Sequence, residues 1–294
     1  MKNLKSHISI IAANIIFGIN TAISHSLIPT KISPFTLSFF RMSGALLLFW
    51  ITSLFLPKEK LSKKDLFLLL IAGFVGIFVN QTSFLLGLST TSPIDASIII
   101  TLLPVNSMIL AAIFLKEPIS VKKIVGVLIG ATGILLLILK NSSDKIGSGN
   151  LKGNLLILCS SMSYAFYLTI FKKLISKYSP VTVMKWMFLT ATVCMLTICF
   201  KDLQKFNFNS LSTITISKIL YVIIFATFIA YFLIPIGQKN LRPTLLSMYN
   251  YLQPIVASGI AIFYGLSSFS WDKFLAIILV FVGVYFVNIS KAIK

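Results

Sequence analysis

Apolar positions along the chain gather into ten stretches, near 8–28, 35–56, 66–86, 94–115, 121–139, 152–172, 181–200, 217–237, 244–264 and 272–290, separated by short polar connections. Each is about 20 residues long, the length a helix rising 1.5 Å per residue needs to cross a hydrocarbon layer of roughly 30 Å. Pro, Gly, Asn and clusters of Lys punctuate the stretches, and the two longest connections, near 140–151 and 201–216, are polar. Gly147-Ser148-Gly149-Asn150 marks the middle of the chain, and no connection has the length of a separate domain. The pattern predicts an all-α integral membrane protein of ten transmembrane helices.

Composition agrees. Of 294 residues, 57% are hydrophobic and 11% charged, against roughly 25% charged in a soluble domain, and the mean hydropathy is +0.95. The net charge of +19 raises the possibility of nucleic-acid binding, which the positions of the basic residues argue against. With the N-terminus inside, Lys2, Lys5, Lys58, Lys60, Lys63, Lys64, Lys116, Lys122, Lys123, Lys172, Lys173, Lys177, Lys239, Arg242, Lys291 and Lys294 fall on the inner side. Only Lys31, Lys140, Lys145, Lys152, Lys201, Lys205, Lys218 and Lys273 fall outside. This twofold bias predicts both termini in the cytoplasm and leaves no contiguous basic and aromatic surface for a nucleic acid.

Cys159, Cys194 and Cys199 all sit in apolar runs without metal-ligand spacing, and His7 and His25 have no metal partner in prospect, so no metal or cofactor is expected. The opening Met1-Lys2-Asn3-Leu4-Lys5 resembles the start of a signal peptide. The apolar run behind it is too long for a signal core and lacks a cleavage site before Pro29, so it reads as the first helix of the mature protein.

Shifting the sequence by 150 residues superposes Gly87 on Gly237, Pro93 on Pro243, Ser97 on Ser247, Leu102 on Leu252, Pro104 on Pro254, Ala111 on Ala261, Ser120 on Ser270, Lys123 on Lys273 and Gly133 on Gly283. The register predicts a first repeat over 1–140, a polar linker at 141–151 and a second repeat over 152–294. Five helices per repeat make the second enter the membrane in the opposite sense, an architecture recurrent in secondary transporters. Pro104 and Pro254 lie near the centres of the fourth and ninth stretches, where each removes a backbone hydrogen bond and is expected to kink its helix close to a central site.

Phe17-Gly18-Ile19-Asn20 resembles the W-G-x-N signature of the EamA branch of the drug/metabolite transporter superfamily, with Phe in place of Trp. Asn80, Thr91-Ser92-Pro93, Ala96-Ser97, Leu103-Pro104, Leu115-Lys116-Glu117 and Gly126 to Gly133 are similar to that family's third to fifth helices. Ser163-Tyr164-Ala165-Phe166-Tyr167 and Tyr251-Leu252-Gln253-Pro254 resemble its sixth- and ninth-helix patterns. The resemblance implies two inverted five-helix repeats around a cavity that opens alternately to either side. Glu117 has no counterpart in the second half, which reads Gly265-Leu266-Ser267, so the gates at the two ends are expected to differ.

Ionisable groups inside apolar spans are costly and point to function. Arg41 lies six residues into its stretch, about 9 Å deep at the helical rise. It is expected either to pair with Asp95 as an outer gate or structural ion pair, to hold a substrate carboxylate or phosphate by bidentate hydrogen bonds, or to snorkel. Lys185 is close enough to an interface to snorkel. Among the amides and phenols of the spans, Asn20, Gln81, Asn106, Tyr249 and Gln253 are the candidates for a substrate cavity, lying near mid-depth or beside a matched proline. Gly126, Gly130 and Gly133 form a smooth stripe expected to receive another helix of the same chain, and the protein is expected to be a monomer. Trp271 suits an interfacial anchor.

With no G-x-x-x-x-G-K-[ST] loop, the sequence favours a secondary transporter of a small metabolite, such as an amino acid or related compound. Export is the expected direction on the resemblance alone. A lipid flippase and a non-transporting sensor or scaffold are the alternatives. An intramembrane enzyme lacks clustered catalytic groups at depth.

Overall fold

The computed structural model describes residues 2–28, 31–91, 93–141, 150–206, 211–263 and 271–290, and every regular element among them is helical. The first half holds α1 (Lys2–Leu27), α2 (Pro34–Leu54), α3 (Lys63–Gly73), α4 (Asn80–Leu88), α5 (Pro93–Ile100), α6 (Leu103–Leu115) and α7 (Val121–Asn141). The second holds α8 (Leu151–Ile170), α9 (Lys172–Lys177), α10 (Pro180–Lys205), α11 (Thr213–Ile223), α12 (Ala230–Asn240), α13 (Pro243–Met248), α14 (Leu252–Phe263) and α15 (Trp271–Ile289). Among the described residues, seven stretches are long and apolar enough to cross a membrane: Leu4–Ser24, Pro34–Leu54, Lys63–Leu88, Ile98–Leu115, Leu151–Ile170, Pro180–Gln204 and Thr213–Asn240. Phe274–Ile289 is a shorter apolar helix.

Serine caps set where the helices begin. Ser33, Ser62, Ser179 and Ser212 precede α2, α3, α10 and α11, and each hydroxyl accepts the backbone N–H three residues on, from Thr36, Asp65, Thr182 and Thr215. Pro34 and Pro180 occupy the first helical position, where the missing N–H costs nothing and the fixed φ suits the helix.

Element boundaries recur at the register read from the sequence. Helices α3 and α11 are joined to α4 and α12 by π-helical turns at Phe74–Val79 and Ile224–Ile229, offset by 150 residues. The fourth and ninth stretches are both broken, at Thr101 and Leu102 between α5 and α6, and by the 3₁₀ turn Tyr249–Tyr251 between α13 and α14. Pro104 and Pro254 therefore stand in the first turn of α6 and α14, just past the breaks, instead of bending continuous helices. A proline has no N–H to return to the preceding turn, so the helix stops before it and restarts. The Tyr251 hydroxyl donates to the Thr101 carbonyl at 2.8 Å, so one break caps the other across 150 residues.

Packing respects the same exchange of halves. Helix α2 lies on α10 and α7 on α15, while α1 packs on α12 and α14 as α8 packs on α4 and α6. Helices α7 and α15 approach so closely that a Cβ at Gly283 would sit 2.6 Å from the Gly126 carbonyl oxygen, and one at Gly133 would sit 2.7 Å from that of Ala276. The glycine stripe is thus filled by a helix of the same chain. The bundle has a terminal end, where α1 begins and α15 finishes, and an opposite end.

Candidate binding cavity

A cavity of about 130 Å³ lies between the central turns of the helices and the opposite end of the bundle. Asn20 and Phe17 reach it from α1, Arg41 from α2, Asn80, Gln81 and Phe84 from α4, and Ile100 and Leu103 from either side of the first break. Ser160, Ser161 and Tyr164 reach it from α8, Tyr231 from α12, and Asn250 and Gln253 from the second break and α14. In each long helix these residues fall in the central turns or toward the opposite end. Aromatic rings floor it on the terminal side: Tyr164 stacks on the buried Tyr167 at 5.9 Å between centroids, and Phe188 meets the Tyr231 ring edge-on at 5.3 Å.

The π turns place the two residues at the centre. Gln81 and Tyr231 each lie one residue past the first position after a π turn, and Gln81 Nε2 donates to the Tyr231 hydroxyl at 2.9 Å. They are 150 residues apart, so equivalent positions of the two halves touch in the cavity wall. The second π turn also holds Arg41. Its Thr227 hydroxyl donates to the Val222 carbonyl at 2.7 Å and accepts Arg41 Nε at 3.1 Å. Arg41 is 5% exposed and makes no ion pair among the described residues.

The remaining amides form a ring of fixed donors. Gln253 Nε2 donates to Asn14 Oδ1 at 2.9 Å and to Asn250 Oδ1 at 2.8 Å. Asn80 Nδ2 donates to the Ser160 carbonyl and hydroxyl, both at 3.0 Å, and Asn20 Oδ1 accepts the Ser24 hydroxyl at 3.1 Å. Gln81 Oε1 is buried without a partner, a state that costs about 1–3 kcal/mol unless something else meets it.

Asn20, Gln81 and Gln253 stand in the wall of this cavity, together with Arg41. Asn106 lies one layer behind, its amide 3.3 Å from the Ser161 hydroxyl. Tyr249 is directed away from the cavity, its hydroxyl 2.6 Å from His7 Nδ1 toward the terminal end. The side chain of Asp95, and with it the expected pairing with Arg41, lies outside the described residues. Ser160 and Ser161 carry no sequence signal that separates them from serines tying helices together. Tyr231 does: it is the 150-residue counterpart of Gln81. Lys185 lies over the Trp50 and Trp186 rings, 5.2 and 5.9 Å from their centroids, a cation–π seat that snorkelling toward the interface leaves open to it.

Every described carboxylate is engaged away from the cavity. Asp65 accepts Lys177 Nζ at 2.8 Å and the Tyr178 hydroxyl at 2.6 Å, and Glu59 accepts the Ser179 amide and hydroxyl at 3.0 and 2.9 Å. Glu117 pairs with Lys123 at 2.9 Å, and Asp202 accepts the Ser33 hydroxyl at 2.8 Å. Partial burial works against the Glu59 charge, but hydrogen bonds from Thr182 and Ser179 hold its carboxyl below the ordinary value. The hydrogen bond and charge of Asp65 raise the Lys177 ammonium. Arg41 is therefore the one charged residue described in the cavity wall.

Comparison with known proteins gives this architecture a family. The model of the EamA-like transporter family matches residues 4–139 and again 151–289. The uncharacterized transporter YetK of Bacillus subtilis is 25% identical over 300 residues, covering 99% of this chain and 88% of its own. An uncharacterized transporter of Archaeoglobus fulgidus is 26% identical over 268 residues, covering 87% of this chain and 88% of its own. A WAT1-related chloroplastic protein of Arabidopsis thaliana is 27% identical over 213 residues, covering 70% of this chain and 50% of its own. A protein of known crystal structure shares the fold, with a TM-score of 0.82 over 99% of this chain and 100% of that one at 15% identity. The chain is a multi-pass membrane protein that belongs to the EamA-like transporter family.

Proposed function

We propose that the protein is a secondary transporter that moves a small metabolite across the bacterial cytoplasmic membrane by alternating access. It is read as ten transmembrane helices in two inverted five-helix repeats, residues 1–140 and 152–294 joined by a linker at 141–151, with both termini in the cytoplasm. The observation that carries this reading is the contact of Gln81 with Tyr231 in the cavity wall, where positions 150 residues apart meet. Inverted repeats place a substrate site on the axis that relates them, and rocking of one repeat against the other exposes that site to each side in turn.

Two further features support alternation. The cavity lies toward the opposite end and is floored on the terminal side by the Tyr164–Tyr167 and Phe188–Tyr231 ring contacts, as in a state closed to the cytoplasm. Within that terminal half the Tyr167 hydroxyl, Gln238 Oε1 and Thr244 Oγ1 are buried without partners. Such groups are destabilising here and gain water once that half opens, which offsets part of the cost of opening it. Export is the assigned direction, on the family resemblance.

The test is solute counterflow with purified protein in liposomes, using a panel of amino acids, organic acids, amines and nucleosides with and without a pH gradient. Saturable exchange of at least one class, slowed about tenfold or more by blocking the wall with Gln81→Trp, is expected. Absence of exchange for the whole panel overturns the reading.

A further inference from the structure

We infer that the cavity selects a small organic anion, a carboxylate of net negative charge, over the zwitterionic or neutral compound of the same skeleton. This rests on the transporter reading and names the substrate class of that same site. Nε of Arg41 is used by Thr227, which fixes the guanidinium plane, and its terminal nitrogens make no hydrogen bond to any described residue. A buried guanidinium held this way presents two parallel N–H donors in the fork that matches a carboxylate.

The charge of the surroundings decides the rest. No carboxylate stands among the described lining residues, so the ammonium of an amino acid would enter beside a fixed positive charge with no anion to offset it. A carboxylate faces the opposite balance, since it supplies the counter-ion that Arg41 lacks. Gln81 Oε1, buried and unpartnered in the same wall, is an acceptor for a neutral donor on the solute, such as a hydroxyl. Phe17, Phe84, Ile100 and Leu103 supply an apolar wall for its carbon skeleton. The volume of about 130 Å³ is comparable with the roughly 150 Å³ that accommodates benzene, which sets the size class at a few carbons.

The experiment measures binding to detergent-purified protein by isothermal titration, and exchange in liposomes, for two skeletons each in three charge forms. These are lactate, alanine and lactamide, and 2-hydroxy-4-methylpentanoate, leucine and the hydroxy amide. For at least one skeleton the hydroxy acid should bind at least about tenfold more tightly than both companions, the scale of a charge-assisted pair. Arg41→Gln should remove that preference, and Arg41→Lys should keep part of it because the charge stays while the fork is lost.

Equal binding of acid and amide, tighter binding of the amino acid, or no binding of either acid at millimolar concentration each overturns the inference. These comparisons are made on the wild-type protein, so they stand even if a variant fails to fold. A protein that binds the acids through Arg41 but exchanges nothing keeps this inference and loses the transport reading. One that exchanges amino acids or amines and ignores the acids does the reverse.

Discussion

At the terminal end of the bundle, Asp65 gathers Lys177 and Tyr178 while Glu59 holds both the amide and hydroxyl of Ser179. At the opposite end, the two halves meet through the Ser33 hydroxyl on Asp202, Lys218 on the Ser26 hydroxyl and Thr91 on Asn154. One end is tied by carboxylates that each accept two hydrogen bonds, the other by single bonds around an apolar cluster of Leu27, Ile32, Leu37, Leu85, Ile219 and Val222. Part of the difference lies in one residue of a matched pair of caps. Ser62 precedes Asp65 as Ser212 precedes Thr215, 150 residues later, and both third positions donate their N–H to the capping serine. Asp65 carries a charge that reaches across to the second half, whereas the Thr215 hydroxyl stays within 2.9 Å of Ser212. Two halves of one design thus become two unlike ends, and the cavity lies on the side of the more weakly tied one.

Four experiments probe that comparison. The largest effect is expected where neither end is favoured: Gly283→Leu drives a side chain into the α7 backbone at Gly126 and should cost about 3 kcal/mol or more. Folded protein recovered from membranes should collapse, which sets the scale for damage unrelated to gating. Next, Tyr251→Phe removes the bond that caps the Thr101 carbonyl and should lower thermal stability by about 1 kcal/mol, with exchange reduced at both membrane faces alike.

Asp65→Thr copies the cap of the opposite end onto the terminal end. In a background without Cys159, Cys194 and Cys199, a reporter cysteine replacing Gln238 should react with an impermeant maleimide about three- to fivefold faster once this tie is cut. The mirror change Thr215→Asp should leave the same rate unchanged. An equal response to both would erase the distinction between the ends.

The smallest effect is with pH. Glu59 is held below its ordinary value, so its contribution is present above the unfolded carboxylate range near pH 4 and is lost as pH falls through the lower folded value. Lys177 is raised, so its share is present below the ordinary lysine range near pH 10 and is lost as pH climbs past the higher folded value. Reporter reactivity should therefore stay flat at neutral pH and rise only at the extremes, and Glu59→Gln should reduce the acid rise to the part that comes from Asp65, whose carboxyl is held low by the Lys177 and Tyr178 hydrogen bonds.

Much of this architecture is legible in the chain. Lengths of the apolar runs, the serine and proline at helix starts and the register of 150 residues are local or periodic features, and the structure repeats that register in its π turns and breaks. The π turns themselves are not legible, because Phe74–Val79 and Ile224–Ile229 share only the Phe78 and Phe228 pair. Their effect on the site is large, since the extra residue in each turn rotates the next helix and delivers Gln81 and Tyr231 to one another.

Composition and periodicity are enough to place the protein in lipid and to relate its halves. Packing alone turns Asn20, Gln81 and Gln253 toward the cavity, sets Asn106 behind it and Tyr249 away from it, and stands Arg41 among amides. The reason lies in the solvent: hydrocarbon is as apolar as a protein core, so composition sets where a membrane helix starts and stops but leaves its rotation to packing against its neighbours.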